Sequence, residues 1–133
     1  MSKYGAKKTV IDGIKFDSKM EGDYYLYIKK QKEDGKIKDF SLQPEFILQP
    51  KFEKDGKKYL PIKYKSDFKV MHNDGTEEII DIKGFSTADF KIKAKLFNYN
   101  YKEKLILLTY VKKWGGWIEL DELAKLRKQS KKA

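Results

Sequence analysis

The chain has no cysteine and only one histidine. The first absence excludes disulfides and a zinc ribbon. The second excludes any metal site built on two histidines, and His72 falls in a turn, where a solvated side chain is expected. No long apolar run occurs. The longest, Leu-Ile-Leu-Leu at 105–108, is far too short to span a bilayer. The N-terminus is basic with no apolar stretch behind it, so no secretory signal is expected and the expected location is cytoplasmic. No glycine-rich phosphate loop is present, and nucleotide hydrolysis has no support.

What is abundant is positive charge. Lysine and arginine number 30 against 20 acidic residues, a net charge of +10, with a pI near 9.5. Such a surface suits a polyanion, most commonly nucleic acid. An anionic membrane surface is the competitor, but no long basic amphipathic helix is visible. Hydrophobic residues make up 40% of the 133, with nine Tyr and eight Phe. That is enough for one packed domain over 1–133, with basic flexible ends at about 1–9 and 128–133.

The spacing predicts a first helix from Ser18 to about Lys32, ended by Gly35 and Lys36. Residues 37–48 read as short strands broken by Pro44. Leu-Gln-Pro occurs at 42–44 and again at 48–50, and proline confines these pieces to edges or strand ends. Lys54-Asp55-Gly56-Lys57 is a turn. A second helix is expected from Ser86 to about Tyr99, with Phe90, Ala94 and Phe97 as its buried stripe. A buried strand follows at 104–111. Trp114-Gly115-Gly116-Trp117 then turns into a last helix from Glu119 to about Lys128, with 128–133 as a solvated basic tail. Strand 104–111 follows a helical crossover, so it should lie parallel to the strand that carries Asp81. The expected fold is α/β of the α+β kind, a mixed sheet flanked by helices.

Between the first two helices lies a hairpin. His72-Asn73-Asp74-Gly75 is a turn signal between two alternating runs. Even positions carry Ile62, Tyr64, Phe68, Val70, Ile80 and Ile82, the expected core face. Odd positions carry Lys63, Lys65, Asp67, Lys69, Asp81 and Lys83, the expected polar face. A three-residue loop with Gly75 left-handed pairs His72 with Thr76 and sets Asp67 opposite Asp81. A two-residue loop would split the apolar set between faces, which a one-sided core forbids. Two carboxylates facing each other across a ladder repel. A divalent cation between them removes that cost, because hard cations take carboxylate oxygens. The bland alternative is a pair of solvated charges on an outer face. Lys83, on the same face, tips the reading toward chemistry, since an ammonium group beside a metal can hold a water and stabilise charge on a phosphate.

Asp67 followed by Asp81-Ile82-Lys83 resembles the Asp…(Asp/Glu)-x-Lys signature of the PD-(D/E)XK nuclease superfamily, with Ser66-Asp67 where Pro-Asp is usual. Lys3-Tyr4-Gly5-Ala6-Lys7-Lys8, Phe16-Asp17-Ser18-Lys19-Met20-Glu21, Leu42-Gln43-Pro44 and Asp81-Ile82-Lys83-Gly84-Phe85 resemble a family of small phage-encoded proteins of that superfamily, with a layout similar to TnsA-like transposon endonucleases. The likeness covers roughly residues 3 to 110. It implies a restriction-endonuclease-like core and Mg²⁺, with Mn²⁺ as substitute. The implied ligands are Glu21, Asp67, Asp81 and the Ile82 carbonyl, with Lys83 as the catalytic cation. It further implies hydrolysis of DNA phosphodiester bonds, structure-specific cleavage in phage recombination or replication, a homodimer that cuts two strands, and the cytoplasm of a bacterial host.

Glu21 has a second explanation. Ser18-x-x-Glu21 is a capping box, and capping alone accounts for a glutamate there. Lys91 and Lys95, at i, i+4 on the second helix, are candidates for phosphate contact; Lys63, Lys65 and Lys69 beside Asp67 are others. All five are equally well read as solvated charge. Trp114 and Trp117 could stack on bases, but core or lid positions are the expected ones. The alternative to an enzyme is a non-enzymatic DNA-binding or phage accessory protein on the same fold.

Overall fold

The computed structural model describes residues 8–83 and 86–132. Asp12 and Gly13, both at positive φ (53° and 77°), close β1 (Thr9–Ile11) onto β2 (Ile14–Phe16). Two left-handed residues in succession are what a two-residue hairpin requires. Thr9 is therefore a strand residue. Lys8 is exposed ahead of it, and residues 1–7 of the expected N-terminal arm lie outside the described residues.

Helix α1 (Lys19–Glu33) starts where its cap demands: the Ser18 hydroxyl accepts from the Glu21 amide at 3.1 Å. Four short strands follow, β3 (Asp39–Leu42), β4 (Glu45–Gln49), β5 (Phe52–Lys54) and β6 (Lys57–Tyr59), then β7 (Ile62–Lys65), β8 (Phe68–Met71) and β9 (Glu77–Ile82). Helix α2 (Ala88–Asn100) crosses over to β10 (Lys104–Val111), and β11 (Gly116–Glu119) leads into α3 (Leu120–Lys132).

Five strands form a mixed sheet in the order β11-β10-β9-β8-β3. β10 runs parallel to β9, as the crossover requires, and the other pairs are antiparallel. The register expected of the hairpin holds. His72 N–H reaches Thr76 O at 2.8 Å, Gly75 sits at φ 91°, and Phe68 faces Ile80, so Asp67 comes opposite Asp81.

The one-sided core does not hold. Phe68, Val70, Ile80, Ile82 and Ile106 pack under α1 against Tyr24, Tyr25 and Ile28. Ile79, Leu105 and Leu107 pack on the opposite face against Phe90 and Phe97 of α2. A sheet with a parallel central pair is covered on both sides, so Asp81 points into a second core rather than to solvent.

The strand phase also changes at Ser66–Asp67. The Ser66 amide bonds Pro44 O at 3.1 Å, and Asp67 O accepts from Gln43 N–H at 3.0 Å. β7 leaves the main sheet and pairs with β4 alone. Tyr64 consequently packs with Phe90 and Phe97, not with Phe68 and Val70.

Two further expectations change. Thr87, not Ser86, caps α2, its side chain accepting from the Phe90 amide at 3.1 Å. Beyond the Lys112–Trp114 turn, Gly115 and Gly116 at φ 90° and 111° reverse the chain into an extra strand, β11, where a helix was expected to begin shortly after. α3 then starts at Leu120 and runs to Lys132. Leu123 is its buried residue and 120–132 holds no Gly or Pro, so the tail is exposed over 128–131, as expected, but helical over 128–132. Among the described residues no helix is long and apolar enough to cross a membrane.

Candidate functional site

Asp67 occupies the break between β7 and β8, where its carboxylate is turned toward β9. Its Oδ2 accepts from the Ile82 amide at 2.8 Å. The next peptide sends Lys83 N–H the other way, to Leu108 O at 2.9 Å on β10. Among the described residues no peptide bond is cis. A trans peptide opposes its N–H and C=O, so the Ile82 carbonyl points back to the Asp67 side.

Asp81 is 2% exposed. Its Oδ2 accepts the Tyr64 hydroxyl at 2.5 Å, and Lys83 Nζ stands 3.7 Å away. Burial, then the Asp81 charge, holds the Tyr64 phenol well above its ordinary range. The Asp67 carboxyl is pushed up to about 8, first by burial, then by its hydrogen bond to Asp81 and the Asp81 charge; the Ile82 amide opposes this and Glu21 adds to it. A second carboxylate facing a buried carboxyl disfavours its ionisation, so Asp67 keeps its proton well above the ordinary carboxylate range.

Glu21, in the first turn of α1, lines a cleft of about 120 Å³ together with Asp67, Gln43 and Lys15. Its carboxyl is raised by burial first, then by Asp17, with a contribution from Asp81; a backbone hydrogen bond at Asp17 and the Lys83 charge lower it. Glu21 thus serves the helix start through its amide while its carboxyl faces the acidic pair. Lys83 is half-buried, its Nζ 4.8 Å from the Phe90 ring centre.

Asp67, Asp81, Ile82 and Lys83 are therefore brought together from the β7–β8 break, β9 and the residue after it, and Glu21 approaches them from α1. The donors suit a hard divalent cation. They are all oxygen, with one carboxylate oxygen each left beyond the Tyr64 and Ile82 bonds, and a cation would replace the Asp67 proton. Asp67 and Asp81 are the pair that could hold it, with the Ile82 carbonyl beside them. Among the described residues no three acidic or histidine side chains converge into a complete cluster. Glu21 stands in electrostatic reach rather than at a common ligand point.

The lysine candidates are scattered. Lys63 Nζ lies 3.7 Å from Glu45, and Lys69 Nζ lies 3.2 Å from Glu77. Lys65 is exposed on β7, while Lys91 and Lys95 are exposed on α2. His72 is not simply solvated; its Nε2 meets Glu78 Oε1 at 2.6 Å. Trp117 packs on Tyr24 with ring centres 5.0 Å apart, the core role expected of it. Lys3 to Lys7, Gly84 and Phe85, which carry part of the sequence likeness, lie outside the described residues.

Two members of the site escape a pattern-based reading. Alternation puts Tyr64 on the same face as Phe68 and Val70; three polar residues in a row, Lys65-Ser66-Asp67, are the signal that the alternation breaks there. Gln43 sits at φ 49°, a conformation that non-glycine residues seldom adopt, on the wall of the cleft. Nothing in its own side chain announces that.

A family model described as "protein of unknown function (DUF1064)" matches residues 1–116. No curated protein and no solved structure matches the chain.

Proposed function

The chain belongs to the DUF1064 family, of unknown function, and we propose that it is a metal-dependent DNA endonuclease built on a PD-(D/E)XK nuclease core. The observation that carries this reading is the facing of Asp67 and Asp81, with the Ile82 carbonyl beside them and Lys83 Nζ 3.7 Å from Asp81. The net charge of +10 supports a polyanionic substrate.

Asp67, Asp81 and the Ile82 carbonyl would hold Mg²⁺ (or Mn²⁺), with the Glu21 carboxyl in electrostatic reach from α1. When bound, the cation supplies neutralisation of phosphate charge and a lowered pKa for water. Lys83 presents its ammonium group at the rim of this pair, where it orients a water or a phosphate oxygen. Tyr64 holds Asp81 Oδ2, so that carboxylate cannot rotate away. Branched DNA, as handled in phage recombination, is the substrate suggested by likeness of family rather than by a contact.

One observation favours a second reading, a non-enzymatic DNA-binding or accessory protein on the same fold. Three carboxylates do not converge among the described residues. The two readings separate in one assay. Purified protein is incubated with supercoiled, linear, single-stranded and four-way-junction DNA, with and without Mg²⁺ or Mn²⁺. Metal-dependent cleavage of any form supports the nuclease; binding without cleavage of all four supports the second reading.

A further inference from the structure

The 45–65 segment forms a two-stage β-arm. β4 and β7 pair at its base, β5 and β6 pair at its end, and Pro50 and Pro61 fall between the stages. Every residue from 49 to 60 is exposed. The end is nevertheless ordered by its own chemistry. Asp55 and Gly56 at φ 51° and 75° make the tight turn, and Phe52 stacks on Tyr59 with ring centres 4.6 Å apart and planes 6° from parallel.

The charges at this end are placed against the arm's own stability. Lys54 is paired directly with Lys57 across the ladder, on the face that carries the Phe52–Tyr59 stack. Like charges directly opposite destabilise a strand pair. Among the described residues neither lysine makes an ion pair, although Asp55 is adjacent in the turn; Lys57 instead lies over the Tyr59 ring at 5.4 Å. The other face pairs Glu53 with Lys58 and is balanced. One face is thus purely cationic, and it is held stiff by stacked rings.

We infer that this arm is a second nucleic-acid contact, a β-ribbon whose Lys54–Lys57 face seats on the phosphates flanking a groove of duplex DNA, away from the acidic pair. A polyanion relieves the Lys54–Lys57 repulsion, and a two-stranded ribbon has the width a major groove admits. A pre-stiffened ribbon also loses little side-chain freedom on binding. The arm runs directly into the site: Tyr59 precedes Asp67 by eight residues, about 26 Å of extended chain. A duplex engaged at Asp67 and Asp81 would therefore meet the arm within about one helical turn. This inference rests on the nucleic-acid reading and assigns the element that grips the duplex.

The test is binding of a duplex oligonucleotide by the full chain in EDTA, so that cleavage does not intervene, across low to physiological salt. Lys54→Gln with Lys57→Gln is compared with wild type and with Lys112→Gln plus Lys113→Gln, a pair of equal charge elsewhere. The arm pair should lower the slope of log K against log salt by about two and weaken binding at least about tenfold at physiological salt. The control should change affinity less than about threefold. Unchanged melting temperatures confirm that the variants fold. Phe52→Ala with Tyr59→Ala, which loosens the ribbon without altering charge, should weaken binding with the slope retained. If wild type binds and the arm pair binds equally well with the same slope, the arm inference fails and the nuclease reading stands. If wild type binds no duplex, the arm inference fails, and the nuclease reading is decided separately by the cleavage assay on the four DNA forms. If the Phe52 and Tyr59 replacements abolish a concentration-dependent dimer in sedimentation and leave DNA affinity intact, the arm is a self-association surface and the inference is overturned.

Discussion

The Tyr64 hydroxyl donates to Asp81 Oδ2 across 2.5 Å. That bond ties the base of the β-arm to a carboxylate buried in the central strand. Removing the hydroxyl leaves a buried acceptor short of its donor. Tyr64→Phe should therefore lower stability by about 1.5–3 kcal/mol, the scale for a hydrogen bond to a charged group. In an Asp81→Ala background the same replacement should cost much less, and a double-mutant cycle by denaturant unfolding measures the difference. Equal costs in both backgrounds would mean the bond contributes nothing.

The proton that Asp67 holds beside Asp81 gives stability a pH dependence of definite sign. Folded, Asp67 keeps its proton up to about 8; unfolded, it releases it near its ordinary value of 3.8. Between those values folding takes up a proton, so stability in the absence of metal should fall as pH rises. Mg²⁺ competes with that proton, so its stabilising shift should be larger above pH 8 than at pH 6. Asp81→Asn should abolish the Mg²⁺ shift, flatten the pH dependence and leave metal-free stability equal or higher. Thermal melts across pH, with and without Mg²⁺, read all three. A clearly destabilised Asp81→Asn protein would assign Asp81 a purely structural bond.

Lys83 separates catalysis from general basicity. Lys83→Ala should slow DNA cleavage roughly a hundredfold or more, the scale for one positioned catalytic group. The Mg²⁺-induced melting shift should survive. Lys69→Ala is the control, because Lys69 lies near Asp67 but is already engaged by Glu77 at 3.2 Å. Equal slowing by both would reduce Lys83 to part of a basic patch.

Much of this fold is legible in local chemistry. Ser18 announces α1, Asn73-Asp74-Gly75 sets the register that brings Asp67 opposite Asp81, and the run at 104–111 marks β10. Each of these depends on residues close together in the chain. The remainder depends on distant ones. Tyr64 turns to Asp81 because Ser66 and Asp67 bond to Pro44 and Gln43, more than twenty residues earlier. Asp81 is buried because α2 lays Phe90 and Phe97 over the face that alternation alone marks as polar. β11 exists because Gly115 and Gly116 allow a reversal whose worth lies in pairing with β10.

The central claim is that the facing carboxylates of Asp67 and Asp81 support metal-dependent cleavage of DNA. Single-turnover cleavage by wild type and Asp81→Asn, purified side by side and assayed in Mg²⁺ and in EDTA on the same DNA forms, tests it most directly. The account predicts cleavage by wild type only when Mg²⁺ is present, and a rate for Asp81→Asn at least about a hundredfold lower. Cleavage at equal rates by both proteins, or none by wild type on any DNA form, would contradict it.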